Sequence, residues 1–213
     1  KNNSYGSVYS HMLLFNDGYF ENAWEWPRKQ FYSSGDILEP LIKNCFILKM
    51  MLLTKTEHIK KTGKFSQDYF ECEDWDYFLR MCLSGVKFKY LNTDPLVFYR
   101  IRVNSISQSR RGLGLDELQL FERLEEKINV KNSRIINVIK KEKGKWEFIY
   151  GKSIYNSKKY LQGYKHMIIG ILKDKRNIIY KLLILLLYPF IGAKNSDNFI
   201  RFLVKIKLHL IFF

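Results

Sequence analysis

The chain has 213 residues, of which 46% are hydrophobic and 16% are aromatic, a composition that supports a sizeable core and excludes an intrinsically disordered protein. Its formal net charge of +15 is unevenly placed. Residues 1–130 carry 18 basic and 17 acidic side chains, a net charge of +1, whereas residues 131–213 carry 18 basic and 4 acidic side chains, a net charge of +14. The composition therefore predicts a near-neutral body followed by a strongly basic C-terminal region.

The cysteines and histidines show no ligand pattern. The three cysteines lack CxxC spacing, which indicates reduced thiols in a cytosolic setting rather than a disulfide framework or a zinc site. The histidines do not pair at helical spacing. These residues are Cys45, Cys72 and Cys82, and His11, His58, His166 and His209.

Residues 8–20 predict a β-hairpin, because two apolar runs flank Asn16, Asp17 and Gly18 and an Asp-Gly pair accepts the positive φ angles of a tight turn. Residues 24–27 predict a loop. A turn over residues 33–36 is expected to precede a short helix over residues 37–42.

Residues 44–53 are apolar except for polar groups at the start and for Lys49, and they predict a buried strand that leads into a short helix. The run is too short to cross a membrane. Residues 54–61 predict an exposed helical turn, and a break that includes Gly63 follows it.

An acidic cluster with an amphipathic run behind it is the most informative stretch of the chain. The four carboxylates are Glu71, Glu73, Asp74 and Asp76. Apolar side chains then recur at the i, i+3, i+4 and i+7 positions of one helix face, namely Trp75, Phe78, Leu79 and Cys82. The pattern places Glu73 or Asp74 at a helix N-terminus, where a carboxylate can accept a proton. A purely structural N-terminal capping cluster is the alternative.

The remainder of the body predicts two strands and then helices. Ser84 and Gly85 end the acidic helix, and strands are expected over residues 86–91 and 96–102. Residues 104–114 predict a polar loop. The sequence is helical from Leu115 onward, with a helical hairpin within residues 146–171.

Two apolar stretches close the chain. Residues 177–191 are shorter than the roughly 20 residues that a membrane-spanning helix requires, and residues 199–213 mix apolar with basic side chains. Both predict helices at an anionic membrane surface. A C-terminal helical bundle that packs on the body is the alternative.

Residues 33–107 resemble the second half of family 2 glycosyltransferases, the bacterial type with a GT-A fold. The resemblance depends on the order of short motifs, and residues 5–32 fit the preceding region more loosely. The motifs are Gly35-Asp36, the apolar run 44–53, Gly63-Lys64-Phe65, Glu73-Asp74-Trp75-Asp76, Leu79-Arg80, Gly85, Tyr99-Arg100, Ser105 and Ser107.

The resemblance implies an α/β fold, with a partial GT-A-like mixed sheet and flanking helices over residues 1–110. This part would be the acceptor-side portion of the enzyme, and residues 111–213 would form a basic, apolar α-helical region. The implied activity is inverting transfer of a sugar from a nucleotide-sugar to a hydroxyl of a glycan or lipid-linked acceptor in surface polysaccharide synthesis. The expected location is cytoplasmic, peripheral to the inner face of the plasma membrane.

The resemblance also assigns the site residues. Asp74 would be the catalytic base, and Glu73 and Trp75 would bind the acceptor. Orientation of the site by Glu73 and packing of Trp75 in the core are the alternatives. Arg102 stands where many relatives have a histidine two residues after the Tyr-Arg pair, so Arg100 and Arg102 are assigned to diphosphate binding.

The nucleotide-binding half of such an enzyme is expected to lie outside this chain. No Asp-x-Asp motif in a matching context precedes residue 33. A divalent metal, Mg²⁺ or Mn²⁺, is expected in the complete enzyme, with its ligands outside this chain.

The alternative function is a non-catalytic basic module that binds a membrane surface or nucleic acid. The sequence contains no recognisable nucleic-acid-binding motif, and its basic residues alternate with aliphatic runs. The resemblance implies a nucleotide-sugar donor and a glycan or lipid-linked acceptor as partners, and the basic apolar stretches indicate an anionic membrane surface. Nucleic acid is not expected as a partner.

Overall fold

The computed structural model of the chain describes residues 5–103, 114–128 and 133–191. The helix predicted over residues 199–213, most of the polar loop over 104–114, and Ser105 and Ser107 lie outside the described residues. The chain forms two compact units, Lys1–Gly112 and Leu113–Phe213. The described residues have a mixed α/β composition, with the strands in the first unit.

Six strands of the first unit form two small mixed sheets. In each sheet the central strand pairs with one neighbour in the antiparallel and with the other in the parallel direction; the sheet orders are β4-β1-β5 and β3-β2-β6. The strands are β1 (Ser7–Tyr9), β2 (Met12–Asn16), β3 (Tyr19–Trp26), β4 (Leu52–Thr54), β5 (Phe88–Tyr90) and β6 (Val97–Ile101).

The resemblance implies one mixed sheet, whereas the described strands form two. The chain leaves the first sheet after β1 and enters the second at β2, with Ser10 and His11 between them. The Ser10 hydroxyl donates to the backbone oxygen of His11, and His11 Nδ1 lies 3.0 Å from the Tyr90 hydroxyl. Both residues are buried, and these contacts give the Ser10 hydroxyl and the His11 ring hydrogen-bond partners within the protein.

The described part of the first unit also contains three helices: α1 (Leu38–Lys43), α2 (Thr56–Thr62) and α3 (Glu73–Leu83). All three were predicted, and the hairpin of β2 and β3 around Asp17 and Gly18 is confirmed. The loop predicted over residues 24–27 is wrong in part, because Trp24 and Trp26 belong to β3, where Trp26 pairs with Met12.

The strand-then-helix order predicted for residues 44–53 is also wrong. A 3₁₀ turn over Lys49–Met51 comes first and β4 follows it. Phe46 and Ile47 are fully buried without belonging to a strand. The apolar run therefore signals burial in the core rather than a particular secondary structure.

The second unit contains four helices in its described part: α4 (Leu115–Lys127), α5 (Ser133–Asn156), α6 (Tyr160–Lys173) and α7 (Ile178–Ile191). Helices α5 and α6 form the predicted hairpin. A side chain at Gly151 would collide with the backbone of Gly163, and one at Gly144 with Asp174. The helices share a core with α7, formed by Phe148, Tyr155, Met167, Ile171, Ile184 and Tyr188.

Helix α7 packs through one face only. Its Ile184 and Tyr188 are in the core, whereas its opposite face is exposed. Within the described ranges, no helix combines the length and the apolar character needed to cross a membrane.

Candidate functional site

Helix α3 holds the acidic cluster through contacts of its interior residues. The Trp75 indole N–H donates to the backbone oxygen of Leu41 on α1 at 2.8 Å. Arg80 pairs with Asp76 at 2.7 Å and also donates to the backbone oxygens of Thr62 and Lys64 at 2.8 and 2.9 Å. These contacts fix the helix and the Gly63 turn together, so the first turn of α3 has a defined position.

Glu73 and Asp74 begin the helix, and both are half-buried. Lys49, on the 3₁₀ turn, donates to Glu73 Oε1 at 3.0 Å. Asp74 Oδ1 accepts the backbone N–H of Trp75 at 2.7 Å. The two neighbouring carboxylates thus differ in their surroundings, because the lysine ammonium contacts Glu73 directly.

The pKa of the Asp74 carboxyl is raised to about 6. Burial is the largest cause, and the negative charge of Glu73 is the second. The Trp75 N–H and the Lys49 charge act in the opposite direction but do not cancel the effect. Asp74 is therefore mostly ionised at neutral pH, and it is a stronger base than an ordinary aspartate.

Lys49 completes this cluster, and sequence reasoning gave it no role. The hydrogen bond to Glu73 raises its pKa most; burial opposes the shift, and the charges of Glu73, Asp74 and Tyr99 add to it. The available signal was that Lys49 is the one charged residue within the apolar run 44–53. Its partner lies 24 positions along the chain.

Trp75 lies in the core and not at the edge of the site. Its side chain is buried, and its only polar group donates to Leu41. Because the indole contributes to the packing of α3 on α1, we assign it a structural role. Of the three residues predicted to contact the acceptor, Glu73 and Asp74 are partly accessible and Trp75 is buried.

Arg100 and Arg102 lie beside the β2–β3 hairpin of the first unit. Phe98, Arg100 and Arg102 line an open cavity of about 720 Å³, together with residues of the β2–β3 hairpin. Arg100 Nη1 is 3.7 Å from Asp17 Oδ1. Successive side chains of a strand point to opposite faces, so Arg100 and Tyr99 are directed to different sides of β6. Tyr99 contributes to the raised pKa of Lys49, and Asp74 is not among the residues that line the cavity.

No group of three or more His, Cys, Asp or Glu side chains in the described part of the chain is arranged to hold a metal ion. The divalent metal that the resemblance implies, with ligands outside this chain, stays a prediction. Comparisons with known protein families, curated proteins and solved structures found no match.

Proposed function

We propose that the chain is the acceptor-side part of an inverting glycosyltransferase that resembles family 2, and that Asp74 is its base. In this reaction an acceptor hydroxyl gives its proton to Asp74, and its oxygen forms a bond to the anomeric carbon of the donor sugar. The bond from that carbon to the nucleotide diphosphate breaks, so configuration is inverted and the diphosphate leaves with the electron pair.

The observation that carries the proposal is the arrangement of the two carboxylates in the first turn of α3. Glu73 is engaged by Lys49, whereas Asp74 is half-exposed with its pKa raised to about 6. A base works best when its pKa lies near the operating pH, and this value is closer to neutrality than that of an ordinary aspartate. The order of motifs in residues 33–107 supports the same assignment.

Glu73 and Lys49 have supporting roles in this proposal. The negative charge of Glu73 raises the pKa of Asp74, and the salt bridge to Lys49 holds the Glu73 side chain in place. Glu73 is also the neighbouring group that can accept a hydrogen bond from a second acceptor hydroxyl. A sugar with adjacent hydroxyls would meet both carboxylates.

Arg100 and Arg102 remain proposed anion-binding residues. Guanidinium groups bind phosphate oxygens through paired hydrogen bonds, and both residues line the open cavity beside β6. Because this cavity does not include Asp74, the proposal treats it as a separate surface, and the base assignment does not depend on it.

Replacement of Asp74 by Asn tests the proposal in the complete protein assayed with nucleotide-sugars. Asn keeps the size of the side chain and can accept the Trp75 N–H, but it cannot take a proton. We expect the transfer rate to fall by about two to four orders of magnitude. Asp94→Asn is the control, because Asp94 is an exposed carboxylate in the turn between β5 and β6. Transfer by Asp74→Asn at the rate of the control would remove Asp74 from the role of base.

A further inference from the structure

The outward face of α7 is an apolar surface that no described residue covers. Ile179, Leu182, Leu186 and Phe190 follow one another at i, i+3, i+7 and i+11, so they form one stripe along the helix. Ile179, Leu186 and Phe190 are 74%, 65% and 80% exposed. A helix that is apolar on all sides is normally covered on all sides, whereas none of the described residues covers this face of α7.

Helix α6 carries a second exposed stripe next to α7. Leu161, Ile168 and Leu172 are exposed and lie at i, i+7 and i+11, and exposed Lys165 lies among them. The two helices pack directly, since the Tyr164 hydroxyl donates to the backbone oxygen of Leu185 at 2.8 Å. The α6–α7 hairpin therefore presents apolar side chains together with a lysine.

The charge of this hairpin is almost entirely positive. Residues 157–191 contain seven basic side chains and one acidic side chain, Asp174. Asp174 is buried and paired with Arg176 at 2.7 Å and with Lys181 at 2.8 Å. No carboxylate side chain between residues 157 and 191 is thus exposed to repel an anionic partner.

We infer that the exposed stripes of α6 and α7 form a docking surface for an anionic lipid membrane. Lipid acyl chains accept leucine and phenylalanine side chains, and anionic head groups attract the lysines beside them. A second copy of the chain would bring two positively charged hairpins together, which electrostatic repulsion disfavours. A nucleic acid would satisfy the lysines but not the apolar stripes. The inference does not depend on the transferase proposal.

Vesicle binding by the whole chain tests the inference. Phosphatidylcholine vesicles with and without phosphatidylglycerol are used in a flotation assay. We expect binding to the anionic vesicles only, and we expect added salt to weaken it because ions screen the lysine charges. In the double variant Leu182→Glu with Leu186→Glu, the affinity should fall by about tenfold or more.

The matched control is the double variant Leu53→Glu with Leu96→Glu, which changes two exposed leucines of the first unit in the same way. It should bind like the original chain. All four leucines are exposed, so circular dichroism is expected to show unchanged helix content. Absence of binding to anionic vesicles, or equal binding by both double variants, would overturn the inference. An oligomer that only Leu182→Glu with Leu186→Glu disperses would assign the surface to a second copy instead.

Discussion

The two adjacent carboxylates in the first turn of α3, Glu73 and Asp74, differ in their electrostatic surroundings. Glu73 is bound by the Lys49 ammonium, whereas Asp74 is raised in pKa by burial and by Glu73 itself. A helix N-terminus favours negative charge, so the shift at Asp74 opposes the ordinary tendency of its position. An ionised Asp74 is thus costly for the folded state.

We therefore predict that Asp74→Asn stabilises the protein at alkaline and neutral pH. The folded-state pKa of about 6 lies above the ordinary aspartate pKa of 3.8, so ionisation costs folded-state stability as the pH rises between these values. The substitution should raise the free energy of unfolding by about 2 kcal/mol at pH 8, and the gain should shrink toward zero near pH 4. Urea unfolding at several pH values measures this, and a gain that grows as the pH falls would contradict it.

The sequence predicts the position of Asp74 at the start of a helix, but it does not predict which side chains surround it. The acidic cluster and the apolar spacing place Glu73 and Asp74 at the start of a helix, and the structure confirms that start. The contact with Lys49 joins positions 24 residues apart through the fold of the 3₁₀ turn, so no local pattern predicts it. Trp75 is buried, as its place on the apolar i, i+3, i+4, i+7 face of the helix indicates.

At the scale of elements, amphipathic helices were predictable and short apolar segments were not. Helix α3 shows a clear i, i+3, i+4, i+7 pattern and was found where expected. Residues 44–53 are apolar throughout most of their length. Such a run has no hydrophobic periodicity, so the pattern does not distinguish a strand from a turn. Strand β3 extends to Trp26 because Trp26 pairs with Met12 on β2. This pairing depends on the position of β2, so the sequence of residues 24–27 alone does not predict it.

The packing of α5 on α6 is set by glycines at their interface. A methyl group at Gly151 would lie 2.7 Å from the backbone nitrogen of Met167 and 2.8 Å from the backbone oxygen of Gly163. Such distances are below van der Waals contact, and backbone atoms cannot rotate away. These glycines therefore permit an interhelical approach that a larger residue would prevent.

We predict that Gly151→Ala lowers the free energy of unfolding by about 1–3 kcal/mol, because overpacking outweighs the better helix propensity of alanine. Thermal or urea unfolding measures the change. Asn137→Ala is the control, since Asn137 is exposed on the same helix and its replacement should be neutral or slightly stabilising. Stabilisation by Gly151→Ala would show that the two helices do not approach this closely.

At the scale of the whole molecule, the chain divides into two compact units that differ in secondary structure. The first unit combines sheets and helices, and the described part of the second is helical. The sequence left open whether residues 177–191 pack in a bundle or lie on a membrane. In the structure one face of α7 is part of the bundle core and the other is exposed, so packing in the bundle leaves a face available for a membrane.

The buried charges of the second unit depend on contacts that the sequence does not reveal. Burial alone would raise the pKa of Asp174, but the hydrogen bonds from Arg176 and Lys181 lower it. Lys181 interrupts the apolar pattern of α7, yet it is buried because its ammonium donates to Asp174. A lysine within an apolar stretch is thus compatible with a packed helix when an acidic partner precedes it.

The central claim is that Asp74 is a proton acceptor with a raised pKa. The most direct test follows the ¹³C NMR signal of the Asp74 carboxyl carbon as the pH is changed. The signal is assigned by its absence in Asp74→Asn. We predict a midpoint near pH 6 that moves lower in Glu73→Gln, because the neighbouring negative charge is removed. A midpoint near the ordinary aspartate value, unchanged by Glu73→Gln, would contradict the account.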